Sequence, residues 1–193
     1  MIETTTRMRR REEIIHAAVI EFCENGYDCT KMEDIAHRAG IGKSTIYEYF
    51  PSKIELLTAT GESVLERILL DIKQMLLNDR PVRQALADYL EYISSVMGTI
   101  GNNFLNLVGD QEVTNVIHKL CIRYVKTMSS ELEGVLRIAQ DTGEISPDVN
   151  IPIAVSLIIS IPSPPFVKLT KHKFIHDSID QLLALLFSGL APR

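Results

Sequence analysis

The chain has 193 residues, of which 46% are hydrophobic and 23% are charged, a balance that favours a folded globular protein and excludes collagen-like, disordered and low-complexity chains. The formal net charge is −5 at pH 7, so the molecule as a whole is not a basic coat for nucleic acid, and any nucleic-acid surface must be local. The polar segment from Met1 to Glu13 lacks the apolar region of a secretory signal, and the longest apolar stretch, Ile151 to Ile161, is shorter than the ~18 residues of a membrane span. We therefore expect a soluble, cytoplasmic protein.

The first predicted helix covers residues 9–25, where apolar side chains recur at helical spacing. Gly26 should end this helix, because glycine readily adopts the left-handed conformation that follows many helices. A second helix should begin with a capping box, in which the Thr30 hydroxyl accepts a backbone hydrogen bond and Glu33 reaches back. This second helix is predicted to run to Ala39.

A third short helix is predicted from Gly42 to Phe50, after a break at Gly40. Ser52 and Glu55 form another capping box, which opens a fourth helix that extends to about Asn78. Further helices are predicted at residues 81–98, at 110–142 with Asp110 as the cap, at 153–160 and at 174–190, with a short element around residues 104–107. No stretch of useful length alternates with a period of two, so the predicted fold class is all-α.

Residues 32–50 satisfy the three requirements of a helix-turn-helix. Ala36 is small enough for the two helices to cross closely, and Gly40 tolerates the positive φ that the turn needs. The apolar residues expected to hold the second helix on the first are Ile35, Ala39, Ile41, Ile46 and Phe50.

The third helix should present polar side chains on its outer side, because Ile46 and Phe50 point inward. The residues on that outer side are Lys43, Ser44, Tyr47 and Glu48. An exposed tyrosine beside small hydroxyl residues at a helix N-terminus suits a DNA major groove, since small side chains allow close approach. Glu48 either accepts a hydrogen bond from a cytosine amino group or points to solvent.

Positive charge near this helix comes from a few positions. They are an arm of Arg7, Arg9, Arg10 and Arg11, followed by Lys31 and Lys53. The arm either contacts phosphates or is a solvated tail. Residues 1–55 hold eight Lys and Arg against ten Asp and Glu, a net charge of −2. DNA binding must therefore depend on the placement of a few cations, and we expect it to be salt-sensitive.

This part of the sequence resembles the TetR family of bacterial transcriptional regulators. The resemblance lies in Gly26-Tyr27, Thr30, Asp34-Ile35-Ala36, Ala39 to Phe50 and Ser52 to Leu57. It implies a homodimer that binds operator DNA with its third helix and a small effector with its C-terminal domain. By position, it implies DNA-facing side chains at Lys43, Ser44, Thr45, Tyr47 and Tyr49, and phosphate contacts at Thr30, Lys31 and Lys53.

Tyr49 and Gly42 are the two positions of this segment whose roles the resemblance does not decide. Tyr49 is either a DNA contact or a core residue beside Phe50. Gly42 stands where the family more often has Ser or Thr, so we expect a looser start of the third helix.

We accordingly predict two domains, a three-helix helix-turn-helix domain at residues 1–52 and a helical bundle for effector binding and dimerisation at residues 53–193. The predicted function is that of a TetR-like repressor released from its operator by a small, largely apolar effector. The alternatives are an activator or a co-repressor-dependent regulator of the same family, or a small-molecule-binding protein without DNA binding.

The C-terminal helices offer aromatic and apolar candidates for the lining of an effector cavity. They are Tyr89, Tyr92, Ile93, Phe104, Leu107, His118, Cys121, Ile122 and Tyr124. Few of these side chains carry charge, so we expect an apolar or neutral aromatic ligand.

The last two helices are apolar on more than one side, so each must bury a second surface. Together with the resemblance, this predicts a two-fold four-helix interface between subunits. Gly143-Glu144-Ile145 resembles the link that precedes these helices in the family. The segment Pro162-Ser163-Pro164-Pro165 departs from the family, because its prolines must end the first of the two helices early.

The sequence has no nucleophile elbow, phosphate loop or HExxH motif, and we expect neither enzymatic activity nor a cofactor. His172 and His176 have i, i+4 spacing but no accompanying carboxylates, so we expect no metal site. The three cysteines form no CxxC pair and are expected to be reduced. Cys23 and Cys121 are interpreted as small core residues rather than as sensors.

Overall fold

The computed structural model describes residues 2–77, 80–104, 110–160 and 183. These residues form seven helices and no strand: α1 (Ile2–Cys29), α2 (Met32–Arg38), α3 (Lys43–Tyr49), α4 (Lys53–Leu76), α5 (Val82–Phe104), α6 (Gln111–Asp141) and α7 (Ile151–Ser160). The predicted all-α fold is confirmed for this part of the chain. The helix predicted at 174–190, apart from Leu183, lies outside the described residues, as do Leu107 and the segment 162–165. Within the described ranges, no helix combines the length and the apolar character needed to cross a membrane.

These residues divide into two compact units. The first contains the residues up to Arg67 together with those from Asn102 to Cys121, and the second contains Ile68–Gly101 together with the residues from Ile122 onward. The functional division predicted between residues 52 and 53 stays a prediction, because a compact unit is defined by packing and not by function.

The core of the first unit joins the three N-terminal helices to α4 and to the start of α6. Its buried side chains include Ile14, Ala18 and Phe22 of α1, Ile35 and Ala36 of α2, Ile46 of α3 and Phe50 directly after it, Leu56 and Leu57 of α4, and Val113 of α6. Each large aliphatic side chain buried in this way stabilises the fold by about 1.5–3 kcal/mol. Helices of seven residues, such as α2 and α3, are marginal in isolation, so both owe their position to this core.

Helix α1 starts earlier than predicted, at Ile2 instead of residue 9. The polar residues at its start include no helix breaker, and Arg10 pairs with Glu13 one turn later. Gly26 has the predicted positive φ, with φ 75° and ψ 167°. Helical residues follow it as far as Cys29, so the prediction that the helix ends at Gly26 is only partly right.

The predicted capping box at Thr30 is wrong. The Thr30 side chain is buried, and its hydroxyl donates to the Gly26 carbonyl oxygen at 2.6 Å. Helix α2 instead has Lys31 as its N-cap, and the Asp34 carboxylate accepts from the Lys31 backbone N–H at 3.3 Å. Glu33 is thereby left free to interact with another helix.

The helix starts predicted at Ser52 and Asp110 are confirmed. The Ser52 hydroxyl accepts from the Glu55 backbone N–H at 3.2 Å. The Asp110 carboxylate accepts from the Glu112 backbone N–H at 2.7 Å. Each side chain satisfies a backbone donor that has no partner within the helix, which fixes where α4 and α6 begin.

The second unit contains the later part of α4, α5 as far as Gly101, most of α6, and α7. Its buried apolar side chains include Ile72, Leu86, Tyr89, Leu90, Ile93, Met128, Leu132, Leu136, Val155 and Ile158. After α6, the Glu144 carboxylate accepts from the Val82 backbone N–H at 2.7 Å and so caps the first turn of α5. The Gln140 amide donates to the carbonyl oxygens of Ser146 and Val149 at 3.0 and 3.2 Å, which fixes the link between α6 and α7.

Candidate nucleic-acid interface

The turn between α2 and α3 is closed by two backbone hydrogen bonds. The Gly40 N–H donates to the His37 carbonyl oxygen at 3.1 Å, and the Ile41 N–H donates to the Ala36 carbonyl oxygen at 3.0 Å. This pairing is a Schellman motif, which needs a residue in the left-handed conformation. Gly40 supplies it with φ 66°, as the sequence predicts.

Helix α3 is anchored on one side and exposed on the other. Ile46 is fully buried, and Phe50 at the C-cap is 3% exposed. Tyr47 is 42% exposed, and Ser44 is exposed one turn before it. The N-cap residue is Gly42, which has no side chain to accept a hydrogen bond from the first turn of α3. The outer side of α3 is therefore a polar surface with Tyr47 on it.

The start of α1 lies beside the end of α3. The Arg7 guanidinium is 5.8 Å from the centroid of the Tyr49 ring, and the Arg11 guanidinium is 5.0 Å from the centroid of the Phe50 ring. At these distances a cation is attracted to the face of an aromatic ring. Tyr49 is half-buried and packs against the core of the first unit, so its ring has a structural role whether or not its hydroxyl reaches DNA.

Of the three residues predicted to contact phosphates, only Lys31 is exposed. The Lys53 ammonium donates to the carbonyl oxygens of Tyr27 at 2.7 Å and of Thr30 at 3.0 Å. The buried Thr30 hydroxyl donates to the end of α1, as described above. Thr30 and Lys53 thus join the end of α1 to the first residue of α4.

Two acidic residues that were not predicted as site residues hold cations of the helix-turn-helix. Glu33 of α2 forms an ion pair with Lys43, the first residue of α3. Hydrogen bonding to Lys43 and the charge of Lys43 lower the pKa of Glu33, and Glu33 raises the pKa of Lys43 in the same way. Glu21 of α1 binds Arg38 of α2 at 2.7 Å. The partners lie on different helices, so helical periodicity alone does not reveal either pair.

In the second unit, two of the predicted effector residues, the buried Tyr89 and the half-buried Tyr124, form a polar pair. The hydroxyl oxygens of Tyr89 and Tyr124 are 2.9 Å apart. Burial raises the pKa of Tyr89 to about 12, and burial followed by the effect of Tyr89 raises the pKa of Tyr124. The Tyr92 hydroxyl donates to the Asp71 carboxylate at 3.0 Å, and Ile93 is buried.

The other predicted effector residues are placed differently. His118, Cys121 and Ile122 are exposed on α6, Phe104 is the last residue of α5, and Leu107 lies outside the described residues. The interpretation of Cys23 and Cys121 as core residues is wrong, because both are exposed. Their small apolar side chains suit a core, but neither cysteine lies on the buried side of its helix.

Residues 14–60 match the family model for bacterial regulatory proteins of the tetR family. The HTH-type transcriptional activator FasR of Mycolicibacterium smegmatis is 33% identical over 44% of this chain and 39% of that protein. The HTH-type transcriptional repressor KstR of Rhodococcus jostii is 33% identical over 35% of this chain and 32% of that protein. The matched part of the chain thus spans well under half of the length of these two curated relatives.

The fold is shared with solved structures over nearly the whole chain. A crystal structure of the transcriptional regulator FadR from Bacillus subtilis, in complex with stearoyl-CoA, has a TM-score of 0.66 and 22% identity, and covers 93% of this chain and 99% of that chain. This likeness concerns the fold. The match at residues 14–60 contains the entire helix-turn-helix described above, so this segment is similar to bacterial regulatory proteins of the tetR family.

Proposed function

We propose that the chain is a DNA-binding transcriptional regulator, a repressor that leaves its operator when a small, largely apolar effector binds. The observation that carries the proposal is the orientation of α3, in which Ile46 and Phe50 are buried while Tyr47 is exposed. A helix held in this way can enter a DNA major groove with its first residues at the base edges. The relatives support a role in transcriptional regulation, because one is named an HTH-type transcriptional activator and the other an HTH-type transcriptional repressor.

The proposed DNA-binding surface combines hydroxyl groups and lysines. Its members are Lys43, Ser44, Thr45 and Tyr47 of α3, Tyr49 at the edge, Lys31 before α2, and Thr30 and Lys53 behind them. Hydroxyl groups can bond base edges or phosphates, and lysines attract phosphates. Because Thr30 and Lys53 bond carbonyl oxygens of the first unit, we propose that they act by positioning the turn between α1 and α2. The few remaining cations make salt-sensitive binding the expected behaviour.

Two copies of the chain are proposed to assemble through α7 and the helix predicted at 174–190. On α7, Val155 and Ile158 are buried, yet Ile153 is 60% exposed and Leu157 is 51% exposed. An apolar surface that faces solvent in one copy becomes favourable when a second copy covers it. In such a dimer the two α3 helices would read successive major grooves, about 34–36 Å apart.

We propose that the protein is cytoplasmic and that its effector carries a long apolar portion and binds within the second unit. The candidate lining residues there are Tyr89, Tyr92, Ile93 and Tyr124. The solved FadR is a complex with stearoyl-CoA, which supports a fatty acyl chain as the first ligand class to test. The Tyr89–Tyr124 pair would then supply hydroxyl groups in an otherwise apolar environment.

Selection of DNA from a random-sequence duplex library by the purified full chain tests the proposal. We expect enrichment of a sequence with two-fold symmetry, and we expect stearoyl-CoA to lower the affinity for it, as measured by fluorescence anisotropy. An affinity that rises with stearoyl-CoA would indicate co-repression instead. Recovery of no enriched sequence, with stearoyl-CoA still bound, would identify a small-molecule-binding protein that does not bind DNA.

A further inference from the structure

We infer that the Glu33–Lys43 ion pair is an autoinhibitory contact, in which Glu33 occupies a lysine of the DNA-binding surface and must release it before DNA is bound. The inference rests on the proposed DNA-binding function and concerns the same surface. It starts from the contact between the carboxylate of Glu33 and the ammonium of Lys43.

The pair bridges two helices without being needed to hold them together. Glu33 lies in the first turn of α2, and Lys43 is the first residue of α3. Their side chains are 50% and 64% exposed, respectively, so the contact faces solvent. The buried side chains of Ala36 and Ile46 belong to the core that packs these helices. The pair can therefore open while the helix-turn-helix stays intact.

The cations near Glu33 are those on which DNA binding depends. Hydrogen bonding and charge from Lys43 lower the pKa of Glu33, and the charge of Lys31 lowers it further. Glu33 is thus ionised at neutral pH and offsets part of the attraction of both lysines for phosphate. Arg38, at the end of α2, is bound by the Glu21 carboxylate at 2.7 Å. In the free protein, acidic side chains therefore neutralise much of the positive charge of the helix-turn-helix.

A phosphate that approaches Lys43 must displace the Glu33 carboxylate, and it is also repelled by that carboxylate. Both effects weaken the complex and reduce the number of phosphates that the protein effectively neutralises. Removing the charge of Glu33 should therefore raise the DNA affinity and steepen its salt dependence. If one further phosphate is neutralised per subunit, each bound subunit changes the logarithmic salt slope by about 0.9, so a bound dimer changes it by about 1.8.

The test compares the full chain with its Glu33→Gln variant on two fluorescein-labelled 30-base-pair duplexes, one selected from a random library and one of scrambled sequence. If the affinities converge at about 1 M salt, these slopes make the variant bind more tightly at about 0.1 M salt, by about eightfold for one bound subunit or about sixtyfold for a bound dimer. Glu62→Gln, at an exposed position of α4, removes the same charge elsewhere and should change the affinity by less than about twofold. Urea denaturation checks that both variants are folded.

A second comparison isolates the role of Lys43. In a Lys43→Met background, Glu33→Gln should raise the affinity and the salt slope by much less, because the lysine that it releases is absent and only the direct repulsion of phosphate and the effect on Lys31 remain. An equal gain in both backgrounds, or an equal gain from Glu62→Gln, would overturn the inference and indicate general repulsion of DNA. An unchanged affinity for Glu33→Gln would overturn it as well. Failure of the unaltered chain to bind either duplex would instead overturn the proposed function, on which the inference depends.

Discussion

Lys53 and Tyr27 meet in two ways: the Lys53 ammonium donates to the Tyr27 carbonyl oxygen at 2.7 Å, and it lies 4.1 Å from the centroid of the Tyr27 ring. Carbonyl oxygens near the end of a helix lack partners within the helix, and a lysine can satisfy them. Because Lys53 is also the first residue of α4, one side chain ties the end of α1 to the start of α4.

Replacement of Lys53 by methionine keeps the apolar stem and removes the ammonium. We expect the free energy of unfolding to fall by about 1.5–3 kcal/mol, the range for hydrogen bonds to charged groups. Urea denaturation followed by circular dichroism measures the change. Lys31→Met, at an exposed position, is the matched control and should change stability by no more than about 0.5 kcal/mol. Equal stability of the two variants would show that the Lys53 contacts are not formed in solution.

Ile46 and Tyr47 are neighbours in α3 with opposite environments, so their alanine variants should fail in different ways. Tyr47→Ala should leave folding and dimerisation intact and weaken binding to the selected duplex by about 1–3 kcal/mol for each subunit that loses a base contact. Ile46→Ala should lower the free energy of unfolding by about 2–5 kcal/mol, because it leaves a cavity in the core. Fluorescence anisotropy and urea denaturation separate the two effects. Unfolding of Tyr47→Ala would mean that Tyr47 is structural and would contradict the proposed surface.

The helix-turn-helix could be predicted because its determinants lie close together in the sequence. The small Ala36, the left-handed Gly40 and the buried Ile46 act over one or two turns of helix, and each is found in the role expected from its residue type. The caps at Ser52 and Asp110 are local in the same sense. An all-helical fold follows from apolar spacing alone.

Contacts between distant segments could not be predicted in this way. Thr30 fits the pattern of a capping box, but its hydroxyl donates to the Glu21 carbonyl oxygen, nine residues away, at 3.1 Å. Lys53 is suited to phosphate contact by charge, yet its ammonium is used by carbonyl oxygens from the end of α1. An acidic residue such as Glu33 is common in the first turn of a helix, because it interacts favourably with the helix dipole. Its presence in α2 therefore does not reveal that it also binds Lys43 of α3.

Gly40 provides a test of backbone strain that is free of side-chain clashes. An added Cβ would meet no atom within 4 Å, but φ is +66°, a conformation that costs most other residues about 1–2 kcal/mol. Gly40→Ala should therefore lower the free energy of unfolding by that amount. Gly134 in α6 also has open space but lacks a positive φ, so Gly134→Ala should raise the free energy of unfolding by about 0.5–1 kcal/mol. The same sign for both variants in urea denaturation would contradict the geometry of the turn.

The Tyr89–Tyr124 pair predicts a loss of stability at alkaline pH. The pKa values of both phenols are raised, that of Tyr89 from 10.0 to about 12. Above pH 10 the unfolded chain therefore loses protons that the folded chain retains, and the free energy of unfolding falls as pH rises. The stability is fully present below pH 10, and it should be lost progressively as the pH rises from 10 through the folded-state pKa of Tyr89 at about 12.

The matched variant for this prediction is Tyr89→Phe combined with Tyr124→Phe, which removes both hydroxyl groups together. Because neither partner is left unsatisfied, we expect a small change in stability at pH 8. Urea denaturation at pH 9, 10 and 11 should then show a shallower decline for the double variant than for the unaltered chain. Parallel declines would mean that the two hydroxyl groups reach solvent, and the proposal that they line a closed, largely apolar effector site would lose its support.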